Sequence, residues 1–211
     1  MVTTSKKEIA KELLGISAVK VQPDKPFTWA SGWLSPFYCD NRKALSYPAL
    51  RTMVRNGLAE LIKENFADAD VIAGVATGAI AQGALVADIL GKPFVYVRSA
   101  PKDHGLANLI EGYMEPNCKV AVVEDLISTG GSSLKAVNAL RDAGHTVVGM
   151  VASFTYGFDV AEKAFEEAGV KLFTLTDYEN MLAAAIESGY ISESSLETLY
   201  EWRKNPANWG K

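Results

Sequence analysis

Two adjacent carboxylates that end an apolar run and open a turn of small hydroxylated residues are the part of this chain with the most legible chemistry. The segment is VAVVEDLISTGGSS, residues 120–133. Val120 to Val123 read as a buried parallel strand that delivers Glu124 and Asp125 to the C-terminal edge of a sheet, where ligands of open α/β folds bind. Leu126, Ile127, Ser128, Thr129, Gly130, Gly131 and Ser132 then turn into a helix with apolar positions at Leu134, Val137 and Leu140. Small residues at a helix start leave backbone N–H groups open beside the positive end of the helix dipole, which suits a phosphate monoester. The carboxylates suit sugar hydroxyls or a hydrated Mg²⁺. One loop therefore asks for a phosphate and a ribose together. The bland alternative, a strand ending in a capped helix with two solvated acids, accounts for the acids but not for the whole pattern.

Two further stretches suit a polyphosphate. The apolar run VIAGVA, residues 71–76, meets Thr77, Gly78, Ala79 and Ile80, and small residues at a strand-to-helix turn let backbone amides approach an anion. Glycine at such a turn also serves plain packing, so this stretch takes its meaning from the acid pair. Arg98 opens the second stretch, RSAPKDHGLANLIEG, in which Lys102, Asp103 and His104 precede Gly105. A loop of that length is either a functional lid or an insertion. Cations on a segment able to swing are a device for closing over a departing pyrophosphate. His145 has no such neighbours and reads as structural. No GxxxxGK[ST] occurs and no GxGxxG follows a strand, which argues against Walker-type and dinucleotide sites.

The elements that must position these groups alternate along the chain, the mark of a parallel sheet with crossover helices. Residues 1–14 read as an amphipathic helix with a Ser5/Glu8 capping box and Ile9, Leu13 and Leu14 on one side. Residues 27–40 read as a short hairpin or hood, punctuated by Ser31-Gly32 and Ser35-Pro36. Helices are expected over residues 48–65, 79–90, 160–168, 178–188 and 193–203, and from the turn at 126–132 to residue 143. Strands are expected over residues 71–76, 94–98, 120–124, 147–154 and 171–176, giving about five parallel strands. The helix over residues 48–65 would turn Leu50, Met53, Val54, Leu58, Leu61 and Ile62 to the core. With 211 residues, 48% hydrophobic and 22% charged, the chain can bury one full core. The expected organisation is one domain over residues 1–211, with a hood over about 1–45 and a core over about 46–211. A formal charge of -4 argues against nucleic acid as the main partner. Cys39 and Cys118 fit no metal spacing and read as reduced thiols. The N-terminus lacks a signal-peptide core and no apolar run approaches membrane-spanning length. A soluble, cytoplasmic protein without a membrane partner is expected.

The run of four apolar residues, two acids, two variable residues and Ser-Thr-Gly-Gly-Ser resembles the phosphoribosyl pyrophosphate (PRPP) signature of the type I phosphoribosyltransferases and matches it at every position. With Ser31-Gly32, SPFYCDNR (residues 35–42) and the KDHG loop, the resemblance covers nearly the whole chain and narrows to the orotate phosphoribosyltransferase family. That resemblance implies the α/β type I phosphoribosyltransferase fold. It implies transfer of ribose 5-phosphate from PRPP to orotate, yielding orotidine 5′-monophosphate and pyrophosphate in pyrimidine synthesis, with Mg²⁺ required. It also implies a homodimer whose active-site loop is shared across subunits. Carried over position by position, it puts Glu124 and Asp125 on the ribose hydroxyls and Ser128 through Ser132 around the 5′-phosphate, with Leu126 and Ile127 also in the PRPP site. Thr77 and Gly78 fall in the pyrophosphate turn. Arg98, Lys102 and His104 meet pyrophosphate, the latter two from the neighbouring subunit. Ser128, Phe37 and Tyr38 lie beside orotate, and Lys102, His104 and Asp125 carry the catalysis. No direct protein ligand to Mg²⁺ is implied.

Some positions depart from parts of the family. Ala30, Ser99 and Ala100 stand where other members carry lysine, and Tyr156 stands where some carry arginine for the orotate carboxylate. A helix N-terminus, backbone amides or Arg42 could hold that carboxylate instead. A purine-type phosphoribosyltransferase would share the PRPP loop and differ in the hood. A PRPP-sensing regulatory protein would keep the fold without strong catalysis. A DNA-binding version of the latter would need a helix-turn-helix domain, for which the segment before Val21 is too short.

Overall fold

A computed structural model describes residues 5–29, 32–100 and 109–210. Helix α1 (Lys6–Gly15) starts at Ser5, whose Oγ accepts from the Glu8 backbone N–H at 3.2 Å while Glu8 Oε2 accepts from the Ser5 N–H at 2.7 Å. This reciprocal cap is the expected capping box, and Ile9, Leu13 and Leu14 are buried as its periodicity requires. Four short strands follow: β1 (Val19–Val21), β2 (Phe27–Thr28), β3 (Leu34–Ser35) and β4 (Phe37–Cys39). β1 pairs antiparallel with β4, and β2 with β3. The hairpin expected in residues 27–40 is the β2–β3 pair. β1 lies outside that expectation because Val-Lys-Val is too short to show a period.

A 3-10 turn (Asn41–Ser46) leads into α2 (Pro48–Asn65), which starts on a proline whose fixed φ and missing N–H suit a first helical position. Leu50, Val54, Leu58 and Ile62 are buried, while Met53 and Leu61 pack against the same cluster half-exposed. Then come β5 (Val71–Val75), α3 (Ile80–Leu90), β6 (Phe94–Val97), β7 (Ile110–Glu111), β8 (Lys119–Ile127) and α4 (Gly131–Asp142). The chain continues through β9 (Thr146–Thr155), α5 (Asp159–Glu167), β10 (Leu172–Asp177) and α6 (Tyr178–Glu187) to α7 (Leu196–Lys204). A short 3-10 turn, Glu193–Ser195, precedes α7.

Six strands form the main sheet in the order β10-β9-β8-β5-β6-β7, with β7 antiparallel on its edge and the others parallel. Its central strands are apolar throughout because both faces are covered, and their side chains alternate between two cores. Ile72, Ala121 and Val123 join the cluster under α1, α2, α3, α6 and α7. Val71, Ala73, Val75, Val120 and Val122 join the one under α4 and α5. From β5 the chain goes outward to β6 and β7, then returns past β5 to β8. The carboxyl ends of β5 and β8 therefore flank a topological switch point, where open α/β sheets bind ligands.

β8 is longer than its apolar run. Its register with β5 stops at Gly74–Val123, but its register with β9 continues to Ile127–Thr155. Asp125, Leu126 and Ile127 are consequently strand residues and the helix start moves to Gly131, a correction to the reading of residues 126–132 as turn. β7 is a second addition: its pairing of Glu111 with Tyr96 and Ile110 with Val97 closes the long segment after Arg98 back onto the sheet edge. Among the described residues no helix is long and apolar enough to cross a membrane.

Candidate active site

Glu124 is 4% exposed, which overturns the picture of two solvated loop acids. Its Oε1 accepts from the Asp125 backbone N–H at 3.0 Å, and its Oε2 from Ser133 Oγ at 2.9 Å. Burial raises the Glu124 carboxyl well above the usual range, and the neighbouring Asp125 charge raises it further. Burial also raises Asp125, against the lowering effect of its hydrogen bond with Glu124 and of the Arg42 charge. The physical outcome is an acid pair that retains a proton, with Glu124 its deeper member. Ser133 is a site residue the sequence reading omitted. It lies on the α4 face of Val137 and Leu140, and a serine on an apolar face is the signal that points to a buried polar partner.

The Asp125 carboxylate abuts the turn after β5. A Cβ added to Gly78 would stand 2.1 Å from Asp125 Oδ2, so only glycine lets this turn approach the acid pair. The peptide joining Ala76 and Thr77 is cis, and Thr77 is exposed. Among the described residues the Thr77 and Gly78 N–H groups donate to no backbone carbonyl, which leaves them for an anion. On the other side of Asp125, α4 begins at Gly130 with φ 80, without a side-chain cap and without an acidic residue in its first turn. A side chain at Gly130 would be strained at that φ and would meet the Phe165 ring at 2.9 Å. Thr129, Gly130 and Gly131 donate no N–H to a backbone carbonyl among the described residues. This is an open helix N-terminus with no acidic residue in its own first turn, at the end of a strand.

A cavity of about 560 Å³ opens beside Ser128 and Thr129, walled by Trp29, Trp33, Tyr38, Cys39, Leu126 and Tyr156. Trp29 and Trp33 stack with centroids 6.4 Å apart, and Trp29 lies 5.3 Å from Tyr156. Tyr38 lines this wall, but Phe37 does not. The Phe37 ring is fully buried against Phe154, Tyr156 and Tyr178, so it supports the wall from behind. The reason is strand alternation: Phe37 and Tyr38 are neighbours on β4 and point to opposite sides. Tyr156 is 1% exposed and packs face to face with Phe158. It is thus an apolar wall where some relatives place a cation. Trp29 and Trp33 as cavity walls escaped the sequence reading because aromatic residues in a hood read equally well as core, whereas Tyr156 was legible only as a departure from the arginine of some relatives.

Arg98 sits at the end of β6, its backbone N–H donating to Leu109 O at 2.8 Å and its Nη1 lying 3.5 Å from Glu111 Oε1. Both ends of the segment bearing Lys102 and His104 are thereby anchored at the sheet edge; Lys102, Asp103 and His104 themselves lie outside the described residues, as does Ala30. Arg42 pairs with Asp40 at 2.7 Å. Cys39 and Cys118 are unpaired thiols. Among the described residues no group of three or more His, Cys, Asp or Glu side chains could cage a metal. With Glu124 occupied by Ser133 and a backbone N–H, Asp125 is the carboxylate left facing the turn. That donor set fits an ion such as Mg²⁺, which keeps water and takes substrate oxygens with one or two carboxylates.

Residues 46–176 match the phosphoribosyl transferase domain family model. The orotate phosphoribosyltransferase of Bacteroides fragilis is 65% identical over 200 residues, covering 95% of this chain and 94% of that protein. A crystal structure of orotate phosphoribosyltransferase from Aeropyrum pernix superposes with a TM-score of 0.74 at 28% identity, over 87% of this chain and 99% of that one. The Mycobacterium tuberculosis orotate phosphoribosyltransferase in complex with 5-phospho-α-D-ribosyl 1-diphosphate gives a TM-score of 0.63 at 27% identity, over 83% and 98% of the two chains. On these matches the chain belongs to the orotate phosphoribosyltransferase family of phosphoribosyltransferases.

Proposed function

We propose that this chain transfers ribose 5-phosphate from PRPP to orotate, releasing orotidine 5′-monophosphate and pyrophosphate, a step of pyrimidine nucleotide synthesis. The observation that carries the reading is the meeting of three unlike surfaces at one switch point: the acid pair on β8, the open α4 terminus, and the turn at Gly78 pressed against Asp125. The aromatic cavity stands beside them. Each surface suits one part of the reacting pair. The N–H groups from Thr129 to Ser132 take the 5′-phosphate, Glu124 and Asp125 take the ribose hydroxyls, and Thr77 and Gly78 take pyrophosphate. The aromatic cavity, with Tyr38 and Ser128 in its lining, takes the pyrimidine ring.

In the reaction the orotate ring nitrogen forms a bond to the anomeric carbon as the bond to pyrophosphate breaks, and the electron pair leaves with pyrophosphate. Positive charge builds on the ribose ring, which the Asp125 carboxylate favours, and negative charge builds on the leaving group, which Arg98, Lys102 and His104 favour. Asp125 is the residue that would help hold a Mg²⁺ ion, which would supply further neutralisation of that charge when bound. The deprotonated orotate nitrogen attacks directly, so no covalent enzyme nucleophile enters. Lys102 and His104 act from the neighbouring subunit of a homodimer, and hood and core work as one domain of a cytoplasmic enzyme. The assignment is tested by Lys102→Ala, expected to lower kcat on the order of a hundredfold while PRPP binding by calorimetry persists. Unchanged turnover would refute the role of the loop.

A further inference from the structure

β8 outruns its neighbour. β5 ends at Val75 and its last pair with β8 is Gly74–Val123, yet β8 continues to Ile127, and Asp125 has no registered partner in β9 either. A part-buried backbone carbonyl at that point needs a donor from elsewhere. The donor is Asn41, whose Nδ2 lies 2.7 Å from the Asp125 carbonyl oxygen. Asn41 opens the 3-10 turn after β4 and is 7% exposed. Because a carbonyl can only accept, the Asn41 amide must turn its nitrogen to Asp125 and its oxygen away. That oxygen meets Cys39, whose Sγ donates to Oδ1 across 3.2 Å. Burial beside Asp125 and Asp40 keeps Cys39 protonated, so it remains a donor. Cys39 also lines the aromatic cavity. A chain of contacts thus runs from the cavity wall through Asn41 to the backbone of the residue whose carboxylate presses on Gly78.

We propose that Asn41 is a positioning residue for the transfer: by filling the orphaned Asp125 carbonyl it sets where that carboxylate stands against the turn at Gly78, and through Cys39 it ties the setting to the wall of the cavity. The proposal rests on the assignment of Asp125 to the ribose of PRPP. A hydrogen bond between side chain and strand backbone here replaces strand pairing, and it joins the hood to the sheet at the reacting centre. Displacement of a reacting group by about 1 Å can cost on the order of a hundredfold in rate.

The test compares Asn41→Ala, Cys39→Ala, Cys39→Ser and Asp125→Asn by kcat, KM for PRPP, KM for orotate and Tm. Asn41→Ala is expected to lower kcat/KM for PRPP about tenfold or more while KM for orotate stays within about threefold. Cys39→Ala is expected to lower kcat/KM for PRPP about threefold, and Cys39→Ser, which keeps a donor toward Asn41, to restore it. A folded Asn41→Ala with kcat and both KM values within about twofold of the parent would overturn the proposal. Should Asn41→Ala not fold, the cysteine pair decides: equal impairment in Cys39→Ser and Cys39→Ala, or none in either, contradicts the chain of contacts. If Asp125→Asn itself is fully active, the assignment of Asp125 fails; if it is impaired while Asn41→Ala is not, only the present proposal fails.

Discussion

A carboxyl group buried beside a second carboxyl group holds its proton, and at Glu124 this has a measurable sign. Its folded-state pKa is raised above the ordinary 4.5 by burial first and by Asp125 second. In the unfolded chain Glu124 ionises near that ordinary value, so the unfolded state binds fewer protons and stability falls as pH rises above it. Glu124→Gln removes the titration while keeping the side chain's shape. Thermal unfolding of the protein alone is therefore expected to show the variant gaining stability relative to the parent between pH 5 and pH 8. Turnover should fall over the same range because the contact proposed with the ribose is lost. Melting curves that shift in parallel across that range would show that Glu124 ionises freely. At this scale the sequence was legible where a residue type carries its chemistry openly, as in Glu124, Asp125 and the glycines. It was not legible where a residue matters through a partner far away in the chain. Ser133 and Asn41 are ordinary polar residues until β8 brings Glu124 and the Asp125 carbonyl within reach of them.

At the scale of elements, two helix starts show opposite designs. α1 is closed by its capping box, whereas α4 carries no side-chain cap and begins on a left-handed glycine beside the acid pair. An uncapped terminus is less stable than a capped one, and its open N–H groups are the surface proposed for the 5′-phosphate. α6 follows the first design. Its N-cap Asp177 accepts from the Asn180 N–H at 2.9 Å and from Lys6 Nζ at 2.9 Å, which also ties it to α1. Burial acts to raise the Asp177 carboxyl, but these hydrogen bonds outweigh it and hold it below its usual 3.8. Its stabilising contribution is thus complete above that value and is lost as pH falls through the lowered folded value. Asp177→Ala is expected to cost about 1 kcal/mol in denaturant melts at pH 7. The difference should shrink toward pH 2; a constant difference would contradict the linkage. The helices and parallel strands were readable because Leu50, Val54, Leu58 and Ile62, or the run Val120 to Val123, repeat at helical or strand spacing over enough residues. β1 and β7 are too short for a period, and the reach of β8 depends on β9, which no local pattern contains.

At the scale of the molecule, the C-terminal helix braces the aromatic cavity from behind. Trp202 Nε1 donates to the Leu34 carbonyl in the hood at 3.1 Å, and Arg203 donates to the carbonyls of Tyr156 and Gly157, each at 2.9 Å. Adjacent residues of α7 therefore hold both walls of the cavity, one from the hood and one from the end of β9. Arg203→Ala should raise KM for orotate severalfold with KM for PRPP little changed, because the Tyr156 wall loosens while the acid pair and the α4 terminus stay in place; equal changes in both would mean a general loss of structure. Central to the proposed function is that the cavity and the surfaces assigned to PRPP serve a single reaction. The measurement that tests it most directly is the loss of orotate absorbance when purified protein meets PRPP and Mg²⁺, with hypoxanthine, guanine, xanthine, adenine and uracil assayed in parallel. Turnover with orotate, dependent on PRPP and absent with the purines, is the predicted result. Consumption of a purine with orotate untouched, or silence with every base, would contradict it.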